Sequence, residues 1–392
     1  MTRQEQWLLP EGVEELLPGR AAVIERLRRR LLDLYASWGY ELVFPPLIEF
    51  LESLFNGGGR DLERQTFKIT DQLTGRLMGV RADITPQVAR MDAHSLRRPG
   101  PSRLCYCSSA LRTHANPPDG SRIPYQVGVE LFGHAGLESD EEVVSLLLET
   151  LAVADVGEVT LDLGHVGLYR ALVAAAGLDA DDEVELEDIF RRKSAADLDA
   201  FLQGRELPAE ARNALGALPW LAGPPSVLDE ARRRLAGFGA SVESALDELE
   251  KLTARLQAHY PDVDLHLDLG ELRGYHYHTG FVFAAWAQGH SEPLAKGGRY
   301  DQIGEVFGRA RPATGFSADL KSLARWSDES APGGILVPAE LEGADLAAEM
   351  RRLRDQGERV VRALPGVNND PAVLGCDRQL SRDGDGWRIT DL

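Results

Sequence analysis

Apolar residues recur three and four apart through Val23, Ile24, Leu27, Leu31, Leu34 and Tyr35. This spacing predicts an amphipathic helix from about Arg20 to Trp38, stopped by Gly39. Tyr40–Phe44 then reads as a strand, ended by Pro45 and Pro46. Short strands are expected at Thr66–Thr70 and Arg76–Arg81 about the Asp71–Gly75 turn, and a helix at Val88–Leu96. Leu104–Arg112 and Tyr125–Gly133 read as a strand pair. The segment between them, His114–Ser121, is rich in proline, glycine and small polar residues and predicts an irregular loop. Asp140–Val153 is predicted helical and Glu158–Leu163 a strand.

From Leu168 to Tyr260 the chain is rich in Ala, Leu, Glu and Arg, and predicts an all-helical insert. Strand patterns return at Val263–Leu269, Tyr277–Trp286 and Leu294–Lys296, followed by a helix at Ala318–Trp326. After Ser327–Gly334 a small module is expected, with strands at Ile335–Val337, Val360–Leu364 and Trp387–Ile389 and a helix at Ala344–Asp355. The whole predicts an α+β chain with an antiparallel sheet and flanking helices. Its expected parts are residues 1–167 and 261–326 of one core, the insert 168–260, and an α/β module at 333–392.

Alternation along Tyr125–Leu131 puts Val127, Val129 and Leu131 on one face and Gln126, Gly128 and Glu130 on the other. Either the polar face meets solvent, or it is a site in which Gly128 makes room for a ligand. Arg81–Pro86, Arg112 and Arg273–Gly280 add carboxylates suited to an ammonium, guanidinium groups suited to a carboxylate, and rings. Such an inventory fits an amino-acid pocket, because charge-assisted hydrogen bonds are the stronger kind. His276 and His278 lie two apart on one expected strand face, without a further ligand for a metal. Gly297–Asp301 lacks the ending of a phosphate loop and reads as a tight turn with an Arg–Asp contact.

Composition narrows the classes. The 392 residues are 43% hydrophobic and carry a formal charge of −19, which argues against a general grip on nucleic-acid phosphates. The run Arg26, Arg28, Arg29, Arg30 falls on one helix and reads as a solvated face. Cys105 and Cys107 sit in a strand that reads as buried, so inert thiols are expected, and no metal or cofactor. No apolar run is long enough for a membrane span, and Met1–Gly19 lacks signal-peptide features. A cytoplasmic location is expected.

Taken in order, these segments resemble a class II aminoacyl-tRNA synthetase core, specifically that of the histidyl enzyme. Gly39–Glu49 resembles motif 1, which in the family builds a dimer interface. Leu104–Gly133 resembles motif 2, Arg273–Gly280 the signature R-G-L-D-Y-Y-T-G, Gly297–Asp301 the element G-G-R-Y-D, and Gly315–Leu323 stands where motif 3 belongs. The resemblance implies histidine-binding positions at Asp83, Thr85, Arg112, Gln126, Glu130, Arg273, Tyr277 and His278.

The departures fall on the nucleotide side. His114 stands where motif 2 has a glutamate, one motif 2 arginine is missing, and Ser322 replaces the arginine of motif 3, with Lys321 one position off. Serine cannot supply a bidentate, permanent positive charge. About 60 residues follow Gly333, against an anticodon domain on the order of 100, so no tRNA partner is expected. Arg81–Arg90 and the Cys376–Leu380 and Trp387 segments are similar to the synthetase paralogue that partners a short-form catalytic ATP phosphoribosyltransferase. That resemblance implies a non-catalytic regulatory subunit, required for the first step of histidine synthesis and relaying inhibition by L-histidine. It also implies self-association through the motif 1 region. The alternatives are an active histidyl-tRNA synthetase lacking the usual anticodon domain, a partner that binds no small molecule, and a ligase on the same scaffold.

Overall fold

The computed structural model describes residues 7–55, 59–115, 120–327, 333–384 and 386–392. The chain divides into two compact units, Met1–Asp328 and Glu329–Leu392. Residues 116–119 of the expected loop, and 328–332 of the expected boundary, lie outside the described residues.

In the first unit the strands are β1 (Glu41–Leu42), β2 (Ile48–Phe50), β3 (Phe67–Thr70), β4 (Leu77–Val80), β5 (Ser102–Ser109) and β6 (Tyr125–Phe132). They continue with β7 (Val159–His165), β8 (Ala222–Gly223), β9 (Asp264–Asp268), β10 (Phe281–Ala287), β11 (Ala295–Arg299) and β12 (Ala313–Asp319). Nine of them form one sheet in the order β1-β5-β6-β12-β11-β10-β7-β9-β8. Its pairs are antiparallel except β1 with β5 and β7 with β9. A second sheet has the order β2-β4-β3.

One face of the large sheet is covered by helices. Helix Pro18–Ser37 buries Ile24, Leu27, Leu31 and Tyr35, the stripe its spacing predicts, and packs on helix Leu137–Val153. Val127, Val129 and Leu131 of β6 join the same core. Arg28 and Arg29 of the basic run pair with Glu25 at 2.7 and 2.8 Å, which offsets their charge at the surface. Helices occupy most of 166–259, with only β8 as strand between them.

The other face of the sheet holds polar groups, and several expected elements differ there. The helix expected from Val88 starts at Thr85 and runs on as a π-helix over Met91–Leu96. Gly297 and Gly298 belong to β11 and not to a turn. A Cβ at Gly297 would lie 2.1 Å from the Gly315 carbonyl, so glycine lets β11 and β12 pair. Ala313–Asp319 is a strand, which shortens the expected helix to Leu320–Leu323. The strand expected from Tyr277 begins at Phe281, leaving Tyr277 and His278 in the turn before it.

The second unit has β13 (Gly334–Val337), β14 (Val360–Arg362), β15 (Cys376–Asp383) and β16 (Gly386–Asp391), in the order β14-β13-β15-β16. Helix Leu346–Asp355 supplies Leu346, Met350 and Leu353 to a core with Ile335, Val337 and Leu380. β15 lies in a stretch, Cys376–Asp383, whose polar residues give no apolar alternation.

Candidate functional site

The polar face of the large sheet opens into a cavity of 160 Å³. Its walls come from β6, β7, β10, β11 and β12 and from the turn Glu271–His278. Asp83, Thr85, Glu130, Arg273, Tyr277 and His278 line it, so the structure brings these expected residues together. Arg112 and Gln126 do not line it. They line an adjoining cavity of 140 Å³ with Ser317, Asp319, Ser322 and Arg325. Lys296 and Ser317 belong to the walls of both.

Glu130 lies at the floor and is 1% exposed. The solvent-facing alternative for β6 therefore fails, since Gln126 is only 4% exposed as well. Thr85 Oγ1 donates to Glu130 Oε1 at 2.7 Å, Tyr106 donates to the same oxygen at 3.2 Å, and the Tyr300 hydroxyl donates to Oε2. No cation pairs with this carboxylate among the described residues. Burial pushes its pKa up to about 8, against the pull of the Tyr300 and Thr85 hydrogen bonds, and the charge of Asp83 adds to the rise.

Gly128 makes room, but not for a ligand. A Cβ there would lie 2.4 Å from the Phe316 carbonyl and 2.6 Å from the Tyr106 hydroxyl, so the glycine admits Tyr106 to Glu130. Gly315 is opposite Glu130, where a Cβ would lie 1.8 Å from Oε2.

His278 is buried, while His276 is exposed and has Nε2 3.1 Å from Glu187, so the two do not share a face. The turn through Gly274, at φ +63°, sends the two side chains apart. Burial pulls the His278 pKa down to about 4, which keeps the ring neutral at pH 7. Its Nδ1 lies 3.2 Å from the Arg299 carbonyl and so carries the proton, leaving Nε2 as an acceptor. Arg299 is itself fixed by Asp140 at 2.6 Å, with only a 3.4 Å contact to the expected partner Asp301.

Asp83 Oδ1 accepts from the Thr85 amide at 3.0 Å, which leaves carboxylate capacity at the cavity wall. Arg273 pairs with Glu271 at 3.1 Å and stacks on Trp286. Arg112 donates from Nε to the Ala82 carbonyl at 3.3 Å. Sequence reasoning did not single out Tyr106, Tyr300 or Lys296. Tyr106 faces Gly128 across β5 and β6, and Tyr300 sits inside the G-G-R-Y-D element, where either could have been noticed.

The neighbouring cavity matches the losses read from the sequence. Ser322 hydroxyl is 3.4 Å from Asp319, and His114 is exposed beside the Thr113 hydroxyl. Lys321 is taken by Glu14 at 3.3 Å and Ser121 at 3.4 Å and does not line this cavity. Cys105 and Cys107 are free and buried, and burial pushes both thiols up to about 12. Among the described residues no cluster of His, Cys, Asp or Glu is placed to hold a metal, and no helix is long and apolar enough to cross a membrane.

Sheet, turn and buried carboxylate define a class II synthetase-like protein of the histidyl type, and residues 12–323 match the histidyl-tRNA synthetase family. Residues 332–390 match the ATP phosphoribosyltransferase subunit HisZ C-terminal domain. The chain is 58% identical to the ATP phosphoribosyltransferase regulatory subunit of Thioalkalivibrio sulfidiphilus, over 100% of both chains. It is 54% identical to that of Chromohalobacter salexigens, again over 100% of both. A solved structure described as an ATP phosphoribosyltransferase regulatory subunit/histidyl-tRNA synthetase from Bacillus halodurans C is similar at 27% identity and a TM-score of 0.81, covering 94% of this chain and 95% of that one. The chain belongs to the family of ATP phosphoribosyltransferase regulatory subunits.

Proposed function

We propose that this chain partners a short-form ATP phosphoribosyltransferase catalytic subunit in the cytoplasm and carries feedback by L-histidine to it. The observation that carries this reading is a buried carboxylate with no cation paired to it among the described residues, at the floor of a cavity whose nucleotide-side neighbour has Ser322 at the motif 3 arginine position. Such a carboxylate gains most from a ligand that brings its own N–H donors and positive charge. A protonated imidazole ring does so: one ring N–H meets Glu130 and the other meets Nε2 of His278. Asp83 is then the partner for the α-ammonium group, and Arg273, held by Glu271, lines the wall beside the ligand. Arg112 and Gln126 serve this reading from the adjoining cavity.

Feedback requires that histidine bind one state of the complex better than the other. Self-association through the motif 1 region is part of the same proposal. Leu42, Phe44, Leu47 and Ile48 are 40%, 72%, 51% and 43% exposed there, a run of apolar surface suited to a second copy of the chain.

The test is reconstitution with the catalytic subunit. Phosphoribosyl transfer to ATP should need this chain and fall with histidine. Glu130→Ala and Arg273→Ala should raise the histidine concentration needed by tenfold or more with assembly intact. Unchanged inhibition in both variants would exclude the cavity as the effector site. An active histidyl-tRNA synthetase has one observation in its favour, the Arg112 and Arg325 pair lining the second cavity.

A further inference from the structure

Lys296 has a place in the molecule that neither the expected site nor its motifs account for. It lies on β11, paired with Ala284 of β10 and Ser317 of β12, and Ser317 in turn pairs with Gly128 of β6. One step of two residues along the same face leads from that row to the row of Gly298, Gly315 and Glu130. Lys296 and Glu130 therefore rise from the same face of the sheet. Their Cα atoms are two strands apart and two residues offset, roughly 10 Å across and 7 Å along by ordinary strand spacing.

Its ammonium has no paired anion. The Lys296 side chain makes no hydrogen bond or ion pair among the described residues, although it borders both cavities. The other cations nearby are occupied: Arg273 by Glu271 and Trp286, and Arg112 by the Ala82 carbonyl from within the second cavity. Lys296 keeps accessible surface because it stands in a cleft, yet protein surrounds it closely enough to hold its pKa below the ordinary lysine value, by burial first and then by Arg112. Asp83 and Glu292 act on it through space but neither pairs with it, and a desolvated ammonium without a paired anion is costly until one arrives. Ser317, across the row from it on β12, is small and lines both cavities beside it.

We infer that Lys296 grips the carboxylate of the amino acid whose ring meets Glu130, so that the two ends of one zwitterion are held from one sheet face. This deepens the amino-acid reading of the cavity and rests on it. The lysine closes the ligand's charge balance at the junction between the two cavities. Asp83 answers the ammonium, Glu130 the ring and Lys296 the carboxylate.

Two ligands and two variants test this. L-Histidine carries the carboxylate; L-histidinamide keeps the ring and the ammonium but is neutral where the carboxylate was. Each is titrated calorimetrically into the full chain, into Lys296→Met and into Glu130→Gln. The parent should prefer histidine to histidinamide by at least about tenfold, as expected of a charge-assisted contact. Lys296→Met should erase that preference while still binding histidinamide as the parent does, which also shows that it is folded. Lys296→Arg should keep the preference in part. A preference that survives Lys296→Met, or a parent with none, overturns the assignment. Should the parent bind histidine and Glu130→Gln lose it while Lys296→Met binds normally, only the role of Lys296 falls. Should the parent bind neither ligand, the amino-acid reading of the cavity falls first.

Discussion

Glu130→Gln removes a buried ionisable group and keeps the side chain's shape. The carboxyl has an ordinary value of 4.5 and is pushed up to about 8 in the fold, chiefly by burial. Between these two values the folded chain binds more protons than the unfolded one. The stabilisation that comes from holding the acid protonated is complete below about pH 4.5 and is lost as the pH rises through about 8. Each tenfold change in proton affinity corresponds to about 1.4 kcal/mol, so at pH 7 the ionisation penalty in the empty site is about 3 kcal/mol. Glutamine never ionises and escapes it. For a domain of this size the difference is on the order of 5 °C in the unfolding midpoint. Thermal unfolding of the intact parent and Glu130→Gln chains, each followed by near-ultraviolet circular dichroism at pH 5, 6, 7 and 8, measures it. The midpoints should lie close at pH 5, and the parent should fall progressively below the variant toward pH 8. Parallel curves across this range would refute the reasoning that an uncompensated carboxylate waits in the cavity.

Gly315→Ala should abolish histidine binding in calorimetry while the second unit's unfolding is unchanged, because the added Cβ would come within 1.8 Å of Glu130 Oε2 and 2.6 Å of the Val129 carbonyl. Arg311→Met should lower the first unit's midpoint by several degrees: it strands Asp92, which Arg311 now meets at 2.9 Å, and breaking a buried pair costs about 3–5 kcal/mol. Cys105 and Cys107 should resist iodoacetamide at pH 8 in the folded chain and react at ordinary rates in denaturant, as read by mass spectrometry, since burial holds both thiols up to about 12.

Much of the fold was legible because its helices and strands carry strong periodicity. The stripe through Ile24, Leu27, Leu31 and Tyr35 and the alternation of Val127, Val129 and Leu131 lead directly to the core. What escaped were elements decided by tertiary contact. β11 and β12 approach through Gly297, Gly298 and Gly315, and the first two read as turn residues until the neighbouring backbone is present. β15 carries polar residues that the parallel neighbour β13 makes into a strand. In the site, the resemblance brought forward Asp83, Thr85, Glu130, Arg273, Tyr277 and His278, which share one cavity, and it joined to them Arg112 and Gln126, which line the next one. Tyr106 and Lys296 read as ordinary strand residues and Tyr300 as part of a turn, until the folded sheet sets the two tyrosines against Glu130 and puts Lys296 on the same face.

The central claim is that the amino-acid side of this site remains and the nucleotide side does not. Histidine-dependent ATP–pyrophosphate exchange by the purified chain tests it most directly, with equilibrium dialysis of radiolabelled histidine under the same conditions. Bound histidine with exchange no higher than in a histidine-free control is the predicted result. Sustained exchange that depends on histidine would contradict the account, because it would mean that a cavity with Ser322 in place of the motif 3 arginine still activates an amino acid.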